Sequence, residues 1–252
     1  MPLSEPPPLP NFLVIGAFKC GTTSLFEYLR SHPQVFMPEA KELGFFVAEH
    51  NWNRGAGWYR EQFRTAGSAT AIGEASPAYS CHPLYAGVPA RIAATLPGAR
   101  LVYLIREPIE RMRSQYRHRV ANGCEHRPFS TAVLESPAFI ELSRYATQLE
   151  RYLAYFGPSQ ILVVSQESLR FERADTMRRV FEFLDVEAGW LPPNLNEELN
   201  VSHPPARVPE PLVLPPATAR YVAKVLEPEM ARLCQLLGSA SPGWALAPAD
   251  SS

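Results

Sequence analysis

The stretch that most constrains this chain is Asn11-Phe-Leu-Val-Ile15, followed without a break by Gly16-Ala-Phe-Lys19-Cys-Gly21-Thr22-Thr23. A short apolar run halted by glycine reads as a buried parallel strand. Thr22 to Arg30 then places Leu25, Phe26 and Leu29 on one helical face, and Pro33 closes the helix. Between strand and helix, Gly16 and Gly21 allow a tight turn that aims successive N–H groups inward as an anion nest. The helix start adds partial positive charge, and the Thr22 and Thr23 hydroxyls add donors. Strand, glycine-flanked loop and helix in this order predict phosphate-binding geometry within an α/β fold.

Further elements follow the same alternation. Ala71 to Glu74 is a weaker strand, Arg91 to Leu96 a helix, and Arg100 to Ile105 a clear strand. A helix is expected from Pro108, which suits a first helical turn, to Ala121. The apolar period from Glu141 to Phe156 predicts one continuous helix, and Ile161–Val164 a third clear strand. Helices over 176–184 and 217–237 complete the pattern. Apolar strands alternating with helices imply a parallel sheet covered on both faces. The expected organisation is a single α/β domain over 11–240 with a P-loop-like strand-loop-helix. A proline-rich tail (1–10) precedes it, a second tail (241–252) follows, and 187–217 forms a long proline-rich loop.

The 252 residues carry a net charge of -1, which removes the broad positive footprint of a non-specific nucleic-acid binder. The apolar run at 12–18 is shorter than the ~20 residues that span a bilayer. Four separated cysteines with no C-x-x-C pair lead to an expectation of a reducing, cytoplasmic setting, without nucleic-acid or membrane partners. Cys81-His82 and Cys124-Glu-His126 lack paired zinc-ligand spacings, so no metal is expected. No feature fixes an oligomeric state. Lysine is scarce: of 24 basic residues only Lys19, Lys41 and Lys224 are lysines.

The loop is not a standard G-x-x-x-x-G-K-[ST] sequence, because Thr22 stands where that motif has lysine and Lys19 lies inside the loop. A lysine so placed suits neutralisation of a leaving or bridging oxygen rather than a Mg-ATP arrangement. A second anion site is suggested by Arg106-Glu-Pro-Ile-Glu-Arg111-Met-Arg-Ser114-Gln-Tyr116. Arg106 falls at the carboxyl end of a strand, the usual ligand edge of parallel sheets. Ser114 lies about two turns into the following helix. An exposed basic helix is the alternative for this segment taken alone. Together the two sites imply a nucleotide with phosphates at two separated positions.

Both segments resemble the cofactor signatures of sulfotransferases that use 3′-phosphoadenosine-5′-phosphosulfate (PAPS). The resemblance is to the branch containing heparan sulfate sulfotransferases and their bacterial relatives. Ser31-His-Pro33, Lys41-Glu-Leu-Gly-Phe-Phe46, Gly57-Trp-Tyr59, Gly73-Glu-Ala-Ser-Pro-Ala-Tyr79 and a Phe-Leu-Asp-Val at 183–186 support it over about residues 11–190. It implies sulfonyl transfer from PAPS to a hydroxyl of a small-molecule or saccharide acceptor, leaving 3′-phosphoadenosine-5′-phosphate (PAP), with no metal. By the same resemblance Lys19, Cys20, Gly21, Thr22, Thr23 and Ser24 would hold the 5′-phosphosulfate. Arg106 and Ser114 would hold the 3′-phosphate, with Arg207 of the proline-rich loop above it.

The resemblance also implies that Glu42, in its E-x-x-F-F setting, is the general base, with Lys41 and Lys19 as catalytic partners. Glu74 is a second carboxylate candidate beside the substrate. Trp58 and Tyr59 are candidates for lining the acceptor cleft, with core packing as the alternative. The chain departs from the family pattern where relatives often carry histidine (here Gly44) and lysine (here Ala75). Lys41 compensates for the second change, or the acceptor differs. Two other functions remain open. A P-loop kinase or hydrolase would need an aspartate ending a strand, and none of the three clear strands ends so. A nucleotide-binding module without catalysis would fit Gly44 and Ala75.

Overall fold

The computed structural model describes residues 6–193, 195, 212–238 and 244. The order of elements is β1 (Phe12–Gly16), α1 (Thr22–Arg30), β2 (Val35–Phe36), α2 (Gly55–Glu61), β3 (Ala71–Ala75), α3 (Val88–Thr95), β4 (Arg100–Ile105) and α4 (Pro108–Ala121). Next come α5 (Phe129–Glu135), α6 (Ala138–Glu141), α7 (Tyr145–Leu153), β5 (Ile161–Ser165), α8 (Gln166–Phe171), α9 (Arg173–Leu184) and α10 (Pro216–Leu237). Five strands form one parallel sheet in the order β2-β3-β1-β4-β5.

Every residue of β1 and β3 is buried, which requires helices on both faces of the sheet. Phe12 pairs with Gly73 of β3 on one side and Arg100 of β4 on the other, so β1 is central. Gly73 is needed there, because a Cβ would lie 2.4 Å from the Phe12 ring. A separate apolar cluster lies outside α4. It joins Met112 and Tyr116 to Phe129, Val133, Phe139, Leu214 and Val222, and it fixes α4 from behind.

The structure adds β2 and the short α2, α5, α6 and α8 to the elements expected from periodicity. It also corrects one of them: the helix expected over 141–156 is broken. Ser143 lies between α6 and α7, where its Oγ accepts from Arg111 Nε (2.7 Å) and donates to Phe139 O (3.2 Å). Side-chain to backbone bonds of this kind compete with helix propagation. Fully buried Arg111 also donates from Nη2 to Phe139 O at 2.5 Å, the carbonyl that a continuing helix would offer to Ser143 N, which bonds to Ile140 O instead. Most of the long proline-rich loop, including Arg207, lies outside the described residues.

Candidate active site

Parallel sheets gather ligands at the carboxyl ends of their strands, where neighbouring connections diverge. Here β1 runs into the loop 17–21, β4 runs into Arg106, and β3 ends beside Ser76. The loop is tied to β4 by Ala17 N donating to Leu104 O at 2.7 Å, and Cys20 N donates back to Ala17 O at 3.2 Å. Gly16 has a φ of 141°, and a Cβ there would lie 1.9 Å from Ser80 Oγ. Lys19 itself is left-handed, with a φ of 67°. That region costs an ordinary residue roughly 1–2 kcal/mol and is concentrated at functional sites.

Helix α1 begins at Gly21, whose φ of 91° and missing side chain leave the first-turn N–H groups without a side-chain cap. No acidic residue lies in that turn. Uncapped donors at a positive helix end, with Thr22 buried and Thr23 half-buried beside them, suit an anion. Arg106 approaches the same loop from β4. Its Nη1 lies 3.5 Å from Lys19 O, and its Nη2 lies 3.4 Å from Glu110 Oε2. Glu107 caps α4 by accepting from Ile109 N (3.0 Å) and Glu110 N (2.6 Å), which sets the helix carrying half-buried Ser114.

The third contribution comes from the segment 41–46. Glu42 N donates to Ala75 O at 3.2 Å, which lays this segment over the end of β3. Glu42 is also left-handed, with a φ of 62°, and its carboxylate accepts from Lys41 Nζ at 2.6 Å. The side chain of Glu42 is 55% exposed, so it faces solvent across the sheet edge. Burial lowers the pKa of Lys19; the nearby Glu42 carboxylate opposes that shift, while the Arg106 and Lys41 cations add to it. Four charged groups from three connections are thus within electrostatic range of one another.

One member of this group had no sequence signal of its own. His118 lies on α4 one turn beyond Ser114, and its ring meets Phe18 edge-on at 5.7 Å. Burial lowers its pKa, Lys19 lowers it further and Glu42 acts in the opposite sense. Its distance of four residues from Ser114, which puts both on one helix face, was the available clue.

Other expected site residues are placed differently. Cys20 is fully buried with its Sγ 3.7 Å from Tyr145 Oη, and its N–H is used inside the loop, so neither group is presented to a ligand. Burial pushes its thiol up to about 11. Glu74 and Tyr59, at 1% and 0% exposure, present no surface to an acceptor. Tyr59 Oη instead donates to Glu74 Oε1 at 2.9 Å, and its ring stacks on Phe45 at 4.2 Å. Trp58 is half-buried, with the Arg54 guanidinium 4.2 Å above its ring. Ala75, the position of the absent lysine, has its side chain sealed in the core.

Residues 10–191 match the family model described as the sulfotransferase family. The chain belongs to the sulfotransferase family. The chain is 33% identical over 199 residues to the bifunctional heparan sulfate N-deacetylase/N-sulfotransferase 4 of Mus musculus, covering 71% of the chain and 22% of that protein. It is 30% identical over 188 residues to the heparan sulfate glucosamine 3-O-sulfotransferase 3B1 of Mus musculus, covering 71% of the chain and 47% of the relative. It therefore spans less than half the length of either. A sulfotransferase from Alicyclobacillus acidocaldarius has a similar solved structure, with a TM-score of 0.78 at 26% identity, covering 94% of this chain and 99% of that one. Among the described residues no helix is long and apolar enough to cross a membrane, and no cluster of His, Cys, Asp and Glu could hold a metal ion.

Proposed function

We propose that this member of the sulfotransferase family moves a sulfonyl group from PAPS to a hydroxyl of a saccharide or small-molecule acceptor, with Glu42 as general base. The observation carrying this reading is that the charges of Glu42, Arg106 and Lys41 all act on Lys19, in the loop that leads into the uncapped start of α1. The residues present suit the donor: an uncapped helix start and Lys19 for the 5′ end, and Arg106 with Ser114 for the separate 3′-phosphate. PAPS, when bound, supplies an activated sulfonyl group and a good leaving phosphate.

The chain's own groups do the rest. Glu42 accepts the acceptor's proton at its carboxylate as the new S–O bond forms. Lys19, a compact cation, stabilises the charge that grows on the departing oxygen. Lys41 Nζ, 2.6 Å from Oε1, holds the Glu42 carboxylate in place. A saccharide acceptor is supported by the two mammalian relatives, whose names both specify heparan sulfate. The hydroxyl nucleophile follows the 3-O-sulfotransferase rather than the N-sulfotransferase.

The test is release of PAP from PAPS in the presence of an acceptor panel offering hydroxyl-only and free-amine saccharides, for the native chain and for Glu42→Gln. Turnover on hydroxyl acceptors, lost by at least about 100-fold in the variant while PAP binding is kept, is expected. Near-native turnover by Glu42→Gln would overturn the base assignment. Acceptance of amines alone would overturn the hydroxyl.

A further inference from the structure

A buried polar group next to the site, the carboxylate of Glu74, is left unused by the reaction outlined above. Three hydroxyls point at it: Tyr79 Oη at 2.5 Å and Tyr59 Oη at 2.9 Å from Oε1, and Ser76 Oγ at 2.6 Å from Oε2. All four residues are at most 2% exposed. Burial raises the carboxyl pKa, and the three hydroxyls oppose that shift.

The other side of two of these hydroxyls is occupied by the backbone of the segment that carries Glu42. Gly44 N donates to Ser76 Oγ at 2.9 Å, and Phe46 N reaches Tyr79 Oη at 3.5 Å. A hydroxyl has one proton. Since Ser76 Oγ and Tyr79 Oη accept from backbone N–H groups, each must give its proton to Glu74. A carboxyl group meets both demands, because Oε1 accepts from Tyr79 and Oε2 from Ser76, whereas a glutamine amide presents a donor at one of the two positions. Tyr59 completes the arrangement, because its stacked contact with Phe45 holds the residue lying between the two bonded amides.

We propose that Glu74 is a positioning residue that holds Glu42 in its productive geometry by orienting the Ser76 and Tyr79 hydroxyls toward Gly44 N and Phe46 N. The proposal rests on Glu42 as the base. It accounts for a buried carboxylate that touches no substrate. It also accounts for a left-handed Glu42: an unfavourable backbone conformation persists only where its surroundings over-determine it, and Glu42 N on Ala75 O supplies the other anchor.

The discriminating variant is Glu74→Gln, which keeps shape but places an NH2 donor against one of the hydroxyls. That hydroxyl must then turn its proton toward a backbone N–H, and the bond to Gly44 or Phe46 is lost. The expected result is a fall in kcat of about 10- to 100-fold, since small misplacements of a reacting group have effects of that size. Acceptor KM and PAP affinity should stay within about twofold, because Lys19 and Arg106 lie on other connections. Hydrogen exchange should accelerate at the Gly44 and Phe46 amides while β1 and β4 keep their protection. Ser76→Ala should mimic the effect, and the double variant should be no worse than Glu74→Gln alone.

Native kcat in Glu74→Gln, additive losses in the double variant, or exchange accelerated equally throughout the sheet would each overturn the proposal. Should Glu74→Gln not fold, Tyr79→Phe and Ser76→Ala, each deleting one hydroxyl, carry the same measurements. The exchange readout also separates the two readings. If Glu42→Gln proves active, the base assignment fails, yet local exchange at 44 and 46 still reports whether Glu74 holds that segment.

Discussion

Lys19 and Glu42, 23 positions apart in the chain, both hold left-handed backbone, with φ of 67° and 62°, and their opposite charges act on each other across one edge of the sheet. Asp185, at the end of α9, is the one other non-glycine residue with positive φ among those described. Two unfavourable conformations at facing, oppositely charged side chains place the strain where the chemistry is proposed.

Lysine and arginine are not equivalent at such positions. Lys19→Arg and Lys41→Arg keep the charge but replace a compact ammonium with a broad planar fork. Turnover should fall about tenfold or more in each. Lys224→Arg, exposed on α10, should match the native protein. Steady-state PAP release measured on the three variants checks this, and equal, silent substitutions would remove both lysines from the site.

Affinity for PAP should depend on pH through Lys19. Burial lowers its pKa in the free protein, and a bound phosphate must raise it again. A proton is therefore taken up on binding in the interval between the free and bound values. Affinity is greatest below that interval and falls as pH rises through it. Calorimetry across the alkaline range, in buffers of different ionisation enthalpy, should show the uptake in the native protein. Lys19→Met should bind more weakly and lose the pH dependence.

How much of this was legible beforehand follows from the range of each interaction. The strand, loop and helix at 11–30 were readable because glycine, lysine and apolar period are local signals, and the structure keeps them as β1, the loop and α1. The helix break at Ser143 was not, because its cause is Arg111, 32 residues away. The same limit governed Glu74. Its place as the first residue of the E-A-S-P-A-Y segment suggested substrate contact, whereas its environment is set by Tyr59 on α2 and by the hydroxyls that meet backbone at 44–46. Its burial could be known only once those pieces met. His118 shows the opposite case, a residue whose helical spacing from Ser114 was visible but carried no meaning until Lys19 was placed beside it.

Gly44 is fixed by its backbone as well as by space. Its φ is 56°, and a Cβ would lie 3.0 Å from His50 Nδ1. Gly44→Ala should therefore cost about 1–2 kcal/mol, a fall in Tm of roughly 2–8 °C for a chain of this size. Because Gly44 N bonds to Ser76 Oγ, the same substitution should reduce kcat more than it reduces PAP affinity. Thermal melts paired with calorimetry test both parts. A variant as stable and active as the native protein would show that a side chain is accommodated here.

Outside the groups proposed for the reaction, Glu125 should contribute to the acid limb of stability. It is 4% exposed and accepts from Arg127 Nε (2.9 Å), Arg127 Nη2 (2.8 Å) and the His126 and Arg127 N–H groups (both 3.1 Å). The Arg127 side chain, first among these, holds its carboxyl down at about 2, against an ordinary value of 4.5. A depressed carboxyl pKa means that the unfolded chain binds the proton more readily. Its contribution is therefore present above pH 4.5 and is lost as pH falls toward about 2. Arg127 is 39% exposed, so solvent screening leaves roughly 1–2 kcal/mol of the nominal effect. Urea unfolding at pH 7 should show Glu125→Gln destabilised by that amount. At pH 3 the gap between variant and native protein should have narrowed, and a gap that stayed constant with pH would trace the loss to packing instead of charge.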